Sequence, residues 1–242
     1  FGDTIKLYSE CGFSIYNMDD MFNELYYIET QNIRIGVGGE GEIVVLDDLN
    51  NNLFSFYEKE NLIFTSGDIY DKKIKVEDKN YRDYVYFKEQ GNGIIAINYV
   101  KLDNYLYGVV PREMPPSFEM EALKAQSIAS RTYALYNLNK HRSEGYQLCS
   151  TTHCQAYGGM DAEHERTNKA IDETRGMVIT YKGNIIDAVY HSNSGGHTVD
   201  AEEAWGGSLP YLVGVNDEFA KGFPNSNWSI SITPEDLNNK LI

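Results

Sequence analysis

The sequence predicts an α+β fold with mostly antiparallel β-sheet, two principal helices and a substrate groove beside Glu113. Residues 1–100 consist of short apolar or alternating runs separated by Gly, Asp and Asn, which is typical of strands joined by turns. Residues 101–242 contain two longer runs with helical spacing. We therefore expect a strand-rich N-terminal part, 1–100, and a mixed core, 101–242, truncated inside the helical pattern that begins at Pro234.

Six strands are predicted in the N-terminal part from β-branched and aromatic residues bounded by turn residues. They are Ile33–Val37, Glu42–Leu46, Asn61–Thr65, Lys73–Val76, Tyr84–Phe87 and Gly93–Val100. The segment Asp19–Leu25 is the one helix expected there.

Gly36, Gly38 and Gly41 match the glycine pattern of a dinucleotide-binding loop. That motif requires a helix directly after the glycines, so that the pyrophosphate meets the helix N-terminus. Here a strand pattern follows, and we interpret the glycines as a β-turn.

Two helices are predicted in the core. The first covers Phe118–Asn137, with Ser117 as its N-cap and a stripe of alanines that allows close packing. The second covers Asp161–Arg175, with Asp161 as cap and Gly176 as its stop. A hairpin over residues 177–190 and a glycine-rich segment over 192–198 follow.

Composition narrows the function classes. The net charge of −15 argues against binding to nucleic acid or to an anionic membrane surface. No run of about 18 apolar residues is present, so none of these residues is expected to span a bilayer. Nineteen tyrosines fit either sheet packing or a surface that binds sugars.

Glu113 is a candidate acid–base residue. It lies between an apolar turn that begins at Gly108 and the double proline Pro115–Pro116. Prolines restrict their own φ and the residue before them, so we expect a stiff connector that presents the carboxylate. Fixed geometry is the first requirement of general acid–base catalysis. The alternative is a solvated loop glutamate.

Cys149 and Cys154 are separated by four residues, with His153 beside the second. Three cysteines in all are too few for a disulfide scaffold. Thiolates and imidazoles are good zinc ligands. A disulfide that closes a short loop and a pair of inert thiols remain alternatives. Cys11 is expected to be a buried or free thiol.

Four ordered blocks of the core resemble the SpoIID/LytB family, which is named for stage II sporulation protein D and a bacterial amidase enhancer. They are Tyr105–Ala134, Cys149–Tyr157, His191–Thr198, and Ala204–Gly207 leading to Pro210–Leu212. The resemblance covers residues from about 101 to 228. The N-terminal part fits the variable region of that family but does not identify it.

The resemblance implies a peptidoglycan lytic transglycosylase that cleaves peptide-free glycan strands with Glu113 as its single acid–base residue. It also implies a wall amidase and engulfment proteins as partners. The location implied is extracytoplasmic, at the cell wall or forespore septum, with any membrane anchor outside this chain.

The resemblance also implies roles for other residues. The candidates for substrate binding are Lys124, Gln126, Arg131, Tyr157, Ser192 and Ser194; the first three are alternatively braces for the Glu113 connector. The implied structural zinc site takes Cys149, Cys154, His141 and His153, with His191 as a further candidate. Adjacent His153 and Cys154 would strain the backbone if both bound one ion, so one of them is a candidate to point away.

Three functions are compatible with these residues. The leading hypothesis is the lytic transglycosylase. The second is a non-catalytic activator of an N-acetylmuramoyl-L-alanine amidase, because activators share the scaffold. The third is a carbohydrate-binding module, in keeping with the tyrosines.

Overall fold

A computed structural model describes residues 4–68, 70–91, 93–220 and 229–234. Antiparallel sheets and helices confirm the α+β prediction. The chain divides into two compact units, residues 1–188 and 189–242. The proposed division near residue 100 marks, within the first unit, the change from strands to helices. The helical pattern predicted after Pro234 lies outside the described residues.

Most of the described strands precede the first helix, and two short strands lie between the third and fourth helices. The strands are β1 (Ile5–Tyr8), β2 (Phe13–Asn17), β3 (Asp20–Ile28), β4 (Asn32–Val37), β5 (Ile43–Leu46), β6 (Asn52–Phe56), β7 (Leu62–Ser66), β8 (Lys73–Val76), β9 (Lys79–Arg82), β10 (Tyr84–Gln90), β11 (Gly93–Tyr99), β12 (Thr180–Tyr181) and β13 (Asn184–Ile185). The helices are α1 (Leu102–Glu113), α2 (Met120–Tyr136), α3 (Glu165–Glu173) and α4 (Ala201–Trp205).

The strand-rich part is a sandwich of two antiparallel sheets. One has the order β6-β5-β4-β1-β8-β9 and the other β11-β10-β7-β2-β3. Alternate apolar residues of both sheets point inward and form one core, in which Phe13, Ile35 and Phe64 are completely buried. Full burial of each such side chain stabilises the fold by about 1.5–3 kcal/mol.

All six predicted strands are present, but the helix expected at Asp19–Leu25 is wrong. Residues 20–25 lie in β3, which pairs with β2. Tyr26 and Tyr27 of the same strand suit a β conformation, and pairing with a neighbour outweighs a weak local preference.

The glycine pattern at 36–41 forms the turn between β4 and β5, as predicted. Gly38 N–H donates to the carbonyl of Glu42 at 2.8 Å, and Gly41 has a φ of 81°. The segment that follows is β5 and not a helix.

Both core helices begin later than predicted, because the residues predicted as their N-caps do not cap them. α2 begins at Met120 with Glu119 as N-cap, whereas Ser117 lies outside it. α3 begins at Glu165, and the side chain of His164 caps it by accepting from a backbone N–H. Asp161 was wrong as a helix cap because it lies in a separate 3-10 turn.

The alanine stripe of α2 is not its packed face. Ala125 is exposed, whereas Leu123, Ser127, Ser130 and Arg131 are buried. Serine can take the place of alanine at a close helix contact, because its hydroxyl can donate within its own helix. The hydroxyl of Ser127 donates to the carbonyl of Leu123.

The β-sandwich is tied directly to the 3-10 turn before α3. Arg82 of β9 makes two hydrogen bonds to the carboxylate of Glu163, at 2.6 and 2.8 Å. Asn80 donates through its backbone and side chain to Asp161, at 3.1 and 2.8 Å. These contacts fix the position of the turn that follows the Cys149–Tyr157 block.

The predicted hairpin over 177–190 is present but short, with only β12 and β13 paired. The second unit holds α4 and an isolated bridge between His197 and Asn216. None of the described helices is both long and apolar enough to cross a membrane.

Candidate functional site

Glu113 is the last residue of α1, so the expected loop connector is wrong at this position. The helix continues through Pro111, and its C-cap is Met114, whose extended backbone has φ −137° and ψ 128°. The N–H of Met114 still donates to the carbonyl of Val110 at 2.9 Å. The half-buried Glu113 is therefore positioned by a helix end, which is stiffer than a loop.

A backbone group orients the Glu113 carboxyl group. The N–H of Ala156 donates to Glu113 Oε1 at 2.9 Å. Ala156 belongs to the segment 149–159, which runs past the end of α1 and contains both cysteines of the sequence motif. The geometry of the candidate acid thus depends on this second segment.

Segment 149–159 is packed tightly against α1. The N–H of Gly158 donates to the carbonyl of Gly108 at 3.0 Å. A Cβ at Gly108 would lie only 2.5 Å from the Tyr157 ring, so a glycine is required there. The Tyr157 hydroxyl donates to Asn98 Oδ1 at 2.6 Å and connects the segment to β11.

Gln155 attaches the same segment to both helices. It is 1% exposed, and its side-chain amide donates to the carbonyl of Ser130 in α2 at 3.2 Å. Its amide oxygen accepts from the Tyr105 hydroxyl of α1 at 3.3 Å. Sequence reasoning missed Gln155 as a positioning residue because only the tertiary contacts reveal its partners.

The structure brings the four predicted metal ligands together. The ligand atoms of His141, Cys149, His153 and Cys154 all lie within 4.8 Å of one another. His153 Nδ1 is 3.7 Å from the sulfur of Cys149 and 3.8 Å from that of Cys154. The expected backbone conflict between His153 and Cys154 does not keep either side chain out of the cluster. His191 lies in the second unit.

His141 shows the sign of a missing partner. It is 8% exposed, and its Nε2 is buried without a hydrogen-bond partner among the described residues. Its other ring nitrogen, Nδ1, lies 2.5 Å from Glu144 Oε1. A carboxylate at Nδ1 favours the tautomer whose Nε2 lone pair is available, which is the usual outer-shell arrangement of a metal-bound histidine. Glu144, three residues after His141, was missed in the sequence.

The thiols differ in acidity. Burial raises the pKa of Cys149, but hydrogen bonds with Thr151, His153 and Cys154 outweigh it and lower the pKa to about 6. Burial raises the pKa of Cys154. One thiolate at neutral pH, a second sulfur and two imidazoles form a donor set that fits a tetrahedral soft or borderline cation.

Two of the proposed substrate-binding residues are engaged within the fold. The ammonium of Lys124 lies 2.9 Å from Glu121 and 2.8 Å from Glu173, and so joins α2 to α3. Gln126 is 9% exposed and donates to Ser130 Oγ at 3.0 Å. These contacts support a bracing role.

Arg131 is 1% exposed and lies between α2 and the end of α3. Its guanidinium donates to the carbonyls of Ile171 and Thr174, at 3.2 and 2.9 Å. It also pairs with Asp103 of α1 at 3.2 Å. Arg131 therefore braces three helices against one another, because its charge is buried among internal acceptors. A brace of the Glu113 connector itself stays a prediction.

The remaining candidates have different surroundings. Tyr157 is partly exposed, with its ring centroid 5.0 Å from that of Tyr105. Ser192 is exposed in the second unit. Ser194, in the same unit, donates to Asp217 Oδ2 at 2.7 Å. Their part in substrate binding stays a prediction.

Comparison with known proteins shows which family part of the chain resembles. The family model described as stage II sporulation protein (SpoIID) matches residues 90–181, which include Glu113 and the whole Cys/His cluster. The chain is 38% identical to an amidase enhancer of Bacillus subtilis over 137 residues. It is 29% identical to stage II sporulation protein D of the same species over 161 residues. The family model and these relatives support the SpoIID/LytB family for residues 90–181.

The family match covers only part of each relative. The amidase enhancer alignment includes 57% of this chain and 18% of the enhancer. The stage II sporulation protein D alignment includes 60% of this chain and 47% of that protein. A protein of Brachyspira hyodysenteriae is 32% identical over 76% of this chain and 49% of its own length. The chain thus spans half the length of these relatives or less.

Proposed function

We propose that the protein is a peptidoglycan lytic transglycosylase that acts on peptide-free glycan strands during sporulation. The observation that carries this proposal is the position of Glu113. It ends a rigid helix inside the segment that matches the family model, and a backbone N–H orients its carboxyl group.

A single carboxyl group is sufficient for the proposed reaction. The Glu113 acid donates its proton to the oxygen between MurNAc and GlcNAc as the C1–O bond breaks. The resulting carboxylate then takes the proton of the MurNAc C6 hydroxyl, whose oxygen bonds to C1 and forms the 1,6-anhydro ring. Ordinary glycosidases need a second carboxylate for water or a covalent intermediate, whereas here the nucleophile belongs to the sugar.

The Ala156 N–H supports this chemistry by fixing one carboxyl oxygen. A hydrogen bond from a backbone amide limits the rotation of the carboxyl group and keeps it in one orientation. The other oxygen is then the proposed site of proton transfer. Tyr157, Ser192 and Ser194 remain proposed substrate contacts, and Lys124, Gln126 and Arg131 are proposed braces.

We further propose that the Cys/His cluster holds structural zinc. The unpartnered Nε2 of His141 and the low pKa of Cys149 support this assignment. Zinc bound by four protein ligands supplies crosslinking energy and leaves no position for substrate. It would hold the beginning of segment 149–159, which orients Glu113 through Ala156.

An amidase activator is the second candidate, and the 38% identity to an amidase enhancer favours it. In that case the protein binds an N-acetylmuramoyl-L-alanine amidase and Glu113 has no catalytic part. For either function we propose engulfment proteins as partners and an extracytoplasmic location at the cell wall or forespore septum. Any membrane anchor is proposed to lie outside this chain.

The two functions are separated by purified protein and peptide-free glycan strands. The enzyme produces anhydro-ended fragments, and Glu113→Gln lowers their rate of formation by about 10²–10⁴-fold, the usual contribution of general acid–base catalysis. Glu119→Gln is the matched control, because Glu119 is exposed and makes no capping hydrogen bond. Absence of anhydro products, together with amidase stimulation that survives Glu113→Gln, contradicts the enzyme proposal and supports the activator.

A further inference from the structure

A cleft of about 300 Å³ runs along the outer side of β11. Three tyrosines, Tyr81, Tyr105 and Tyr157, form one wall, and the segment 146–150 forms the other. The β11 residues Ile95–Asn98 lie between the walls. We call this the β11 cleft. Glu113 does not line it, so the cleft is separate from the proposed acid.

The strand inside this cleft has one unpaired edge. β11 pairs with β10 through Gly93–Tyr99, and in the part of the chain that the structure describes no strand lies on its other side. None of the described backbone hydrogen bonds outside the sheets involves β11. Unpaired N–H and C=O groups of an edge strand are a template for another strand.

The walls stand on opposite faces of the sheet. Asn98 accepts from the Tyr157 hydroxyl on one face. Ile97 lies on the other face opposite Tyr86, whose hydroxyl donates to the carbonyl of Gly145, directly before the second wall. Side chains alternate between faces along a strand, so a strand added to β11 would direct successive side chains toward the two walls in turn.

We propose that the β11 cleft binds an extended segment of a partner protein, which adds to the sheet as a strand beside β11. The first wall is aromatic, and the second carries Tyr146 and Leu148 beside the polar Gln147 and Ser150. The segment therefore needs two or more consecutive bulky apolar residues at its centre. The net charge of −15 favours Lys or Arg on either side of them. A volume of about 300 Å³ is at the lower limit of binding clefts, so the buried part is short.

A peptide fits these features better than a glycan. Strand addition uses a repeating pattern of donors and acceptors that matches the bare edge, and pockets for side chains add selectivity. A sugar chain has no such repeat and would leave part of the edge unpaired. Binding of glycan along the β11 edge is therefore an outcome that contradicts the proposal, whereas a glycan contact with Tyr157 alone does not.

The test uses a labelled synthetic peptide of about nine residues, a usual strand length, with Val-Leu-Val at its centre and alternating Lys and Thr outside. Its affinity for the whole chain is measured by fluorescence anisotropy. We expect saturable binding and slower amide exchange at Ile94, Ala96 and Asn98. These amides face the free edge, because the pair Gln90–Gly93 closes the hairpin and hydrogen-bonded pairs alternate along the two strands. The same peptide with alternate N-methylated residues keeps its side chains but loses the hydrogen bonds of one edge, and we expect it to bind about tenfold more weakly or worse.

Two variants test whether the peptide binds in the β11 cleft. Ile95→Lys introduces a charge in the cleft, and Ala96→Trp fills it from an exposed position of β11. Each is checked by circular dichroism, and each folded variant is expected to weaken binding by about tenfold or more. Leu53→Lys is the control, because it changes a partly exposed apolar residue in β6, the edge strand of the other sheet.

Three results would overturn the proposal. The first is equal binding of the N-methylated peptide, which would show that the strand edge is not used. The second is unchanged affinity in a folded cleft variant. The third is protection of the β11 amides by peptide-free glycan but not by the peptide, which would assign the cleft to substrate.

Discussion

Arg131 and His141 are both buried polar residues in or just after α2, but their hydrogen bonding differs. Arg131 is surrounded by the carbonyls of Ile171 and Thr174 and by Asp103. His141 has one ring nitrogen at Glu144, while its buried Nε2 faces two sulfurs and has no partner among the described residues. Burial alone therefore does not distinguish a structural residue from a ligand-binding one. A buried polar atom without a hydrogen-bond partner is what distinguishes the two.

The largest effect on stability is expected from removing the Arg131 side chain. Arg131→Ala removes the guanidinium donors of the Ile171 and Thr174 carbonyls and the buried partner of Asp103. Loss of one member of a buried ion pair costs about 3–5 kcal/mol. Urea denaturation measures the free energy of unfolding. Arg175→Ala is the control, because Arg175 contacts the same Asp103 from an exposed position. Similar losses in both variants would show that burial of Arg131 contributes nothing.

Added zinc should stabilise the folded protein through the Cys/His cluster, whereas the contacts of Arg131 require no metal. We expect one bound zinc per chain, and about 4 kcal/mol of stabilisation when free zinc is a thousandfold above its Kd. Metal analysis and thermal unfolding with and without a chelator test this. Cys154→Ser should abolish the response, whereas Cys11→Ser should keep it, since Cys11 is outside the cluster. A chelator-insensitive wild-type protein without metal would contradict the zinc proposal.

A smaller effect is expected at the outer contact of the cluster. Glu144→Gln replaces the carboxylate that accepts from His141 Nδ1. Loss of such a partner usually weakens metal affinity by about 10–100-fold. Competition with a chromophoric chelator measures this affinity. Glu165→Gln, an exposed change on α3, is the control. Unchanged zinc affinity in Glu144→Gln would show that the contact does not support a ligand.

The smallest effect is expected at Lys124. Its ion pairs with Glu121 and Glu173 lie at the protein surface, where solvent screens them. Lys124→Met should change the unfolding midpoint less than Arg131→Ala and should leave transglycosylase rates unaltered if Lys124 is a brace. A selective rise in KM for glycan strands would restore Lys124 as a substrate contact.

Local patterns predicted some elements well and failed at others for identifiable reasons. Lys73–Val76 was correct at both ends because an alternating run, Lys-Ile-Lys-Val, lies between Asp71 and Asp78. The segment 19–25 was misread as a helix because pairing of β3 with β2, not local spacing, determines its conformation. α1 was not predicted, since Gly108 and Pro111 suggested a turn. In the folded chain, Gly108 leaves room for the Tyr157 ring that packs against α1. Pro111 lies inside α1, which continues to Glu113.

The α+β class and the family resemblance followed from the order of residues alone, which also proposed Glu113 and the Cys/His cluster as candidate sites. These predictions rest on residue type and spacing, which are local. The folded chain was needed to show that Ala156 N–H contacts Glu113, that Arg131 is buried between helices and that His141 Nε2 has no partner among the described residues. Hydrogen bonding and burial depend on what the remainder of the chain brings alongside a residue, and residues distant in sequence supply these partners.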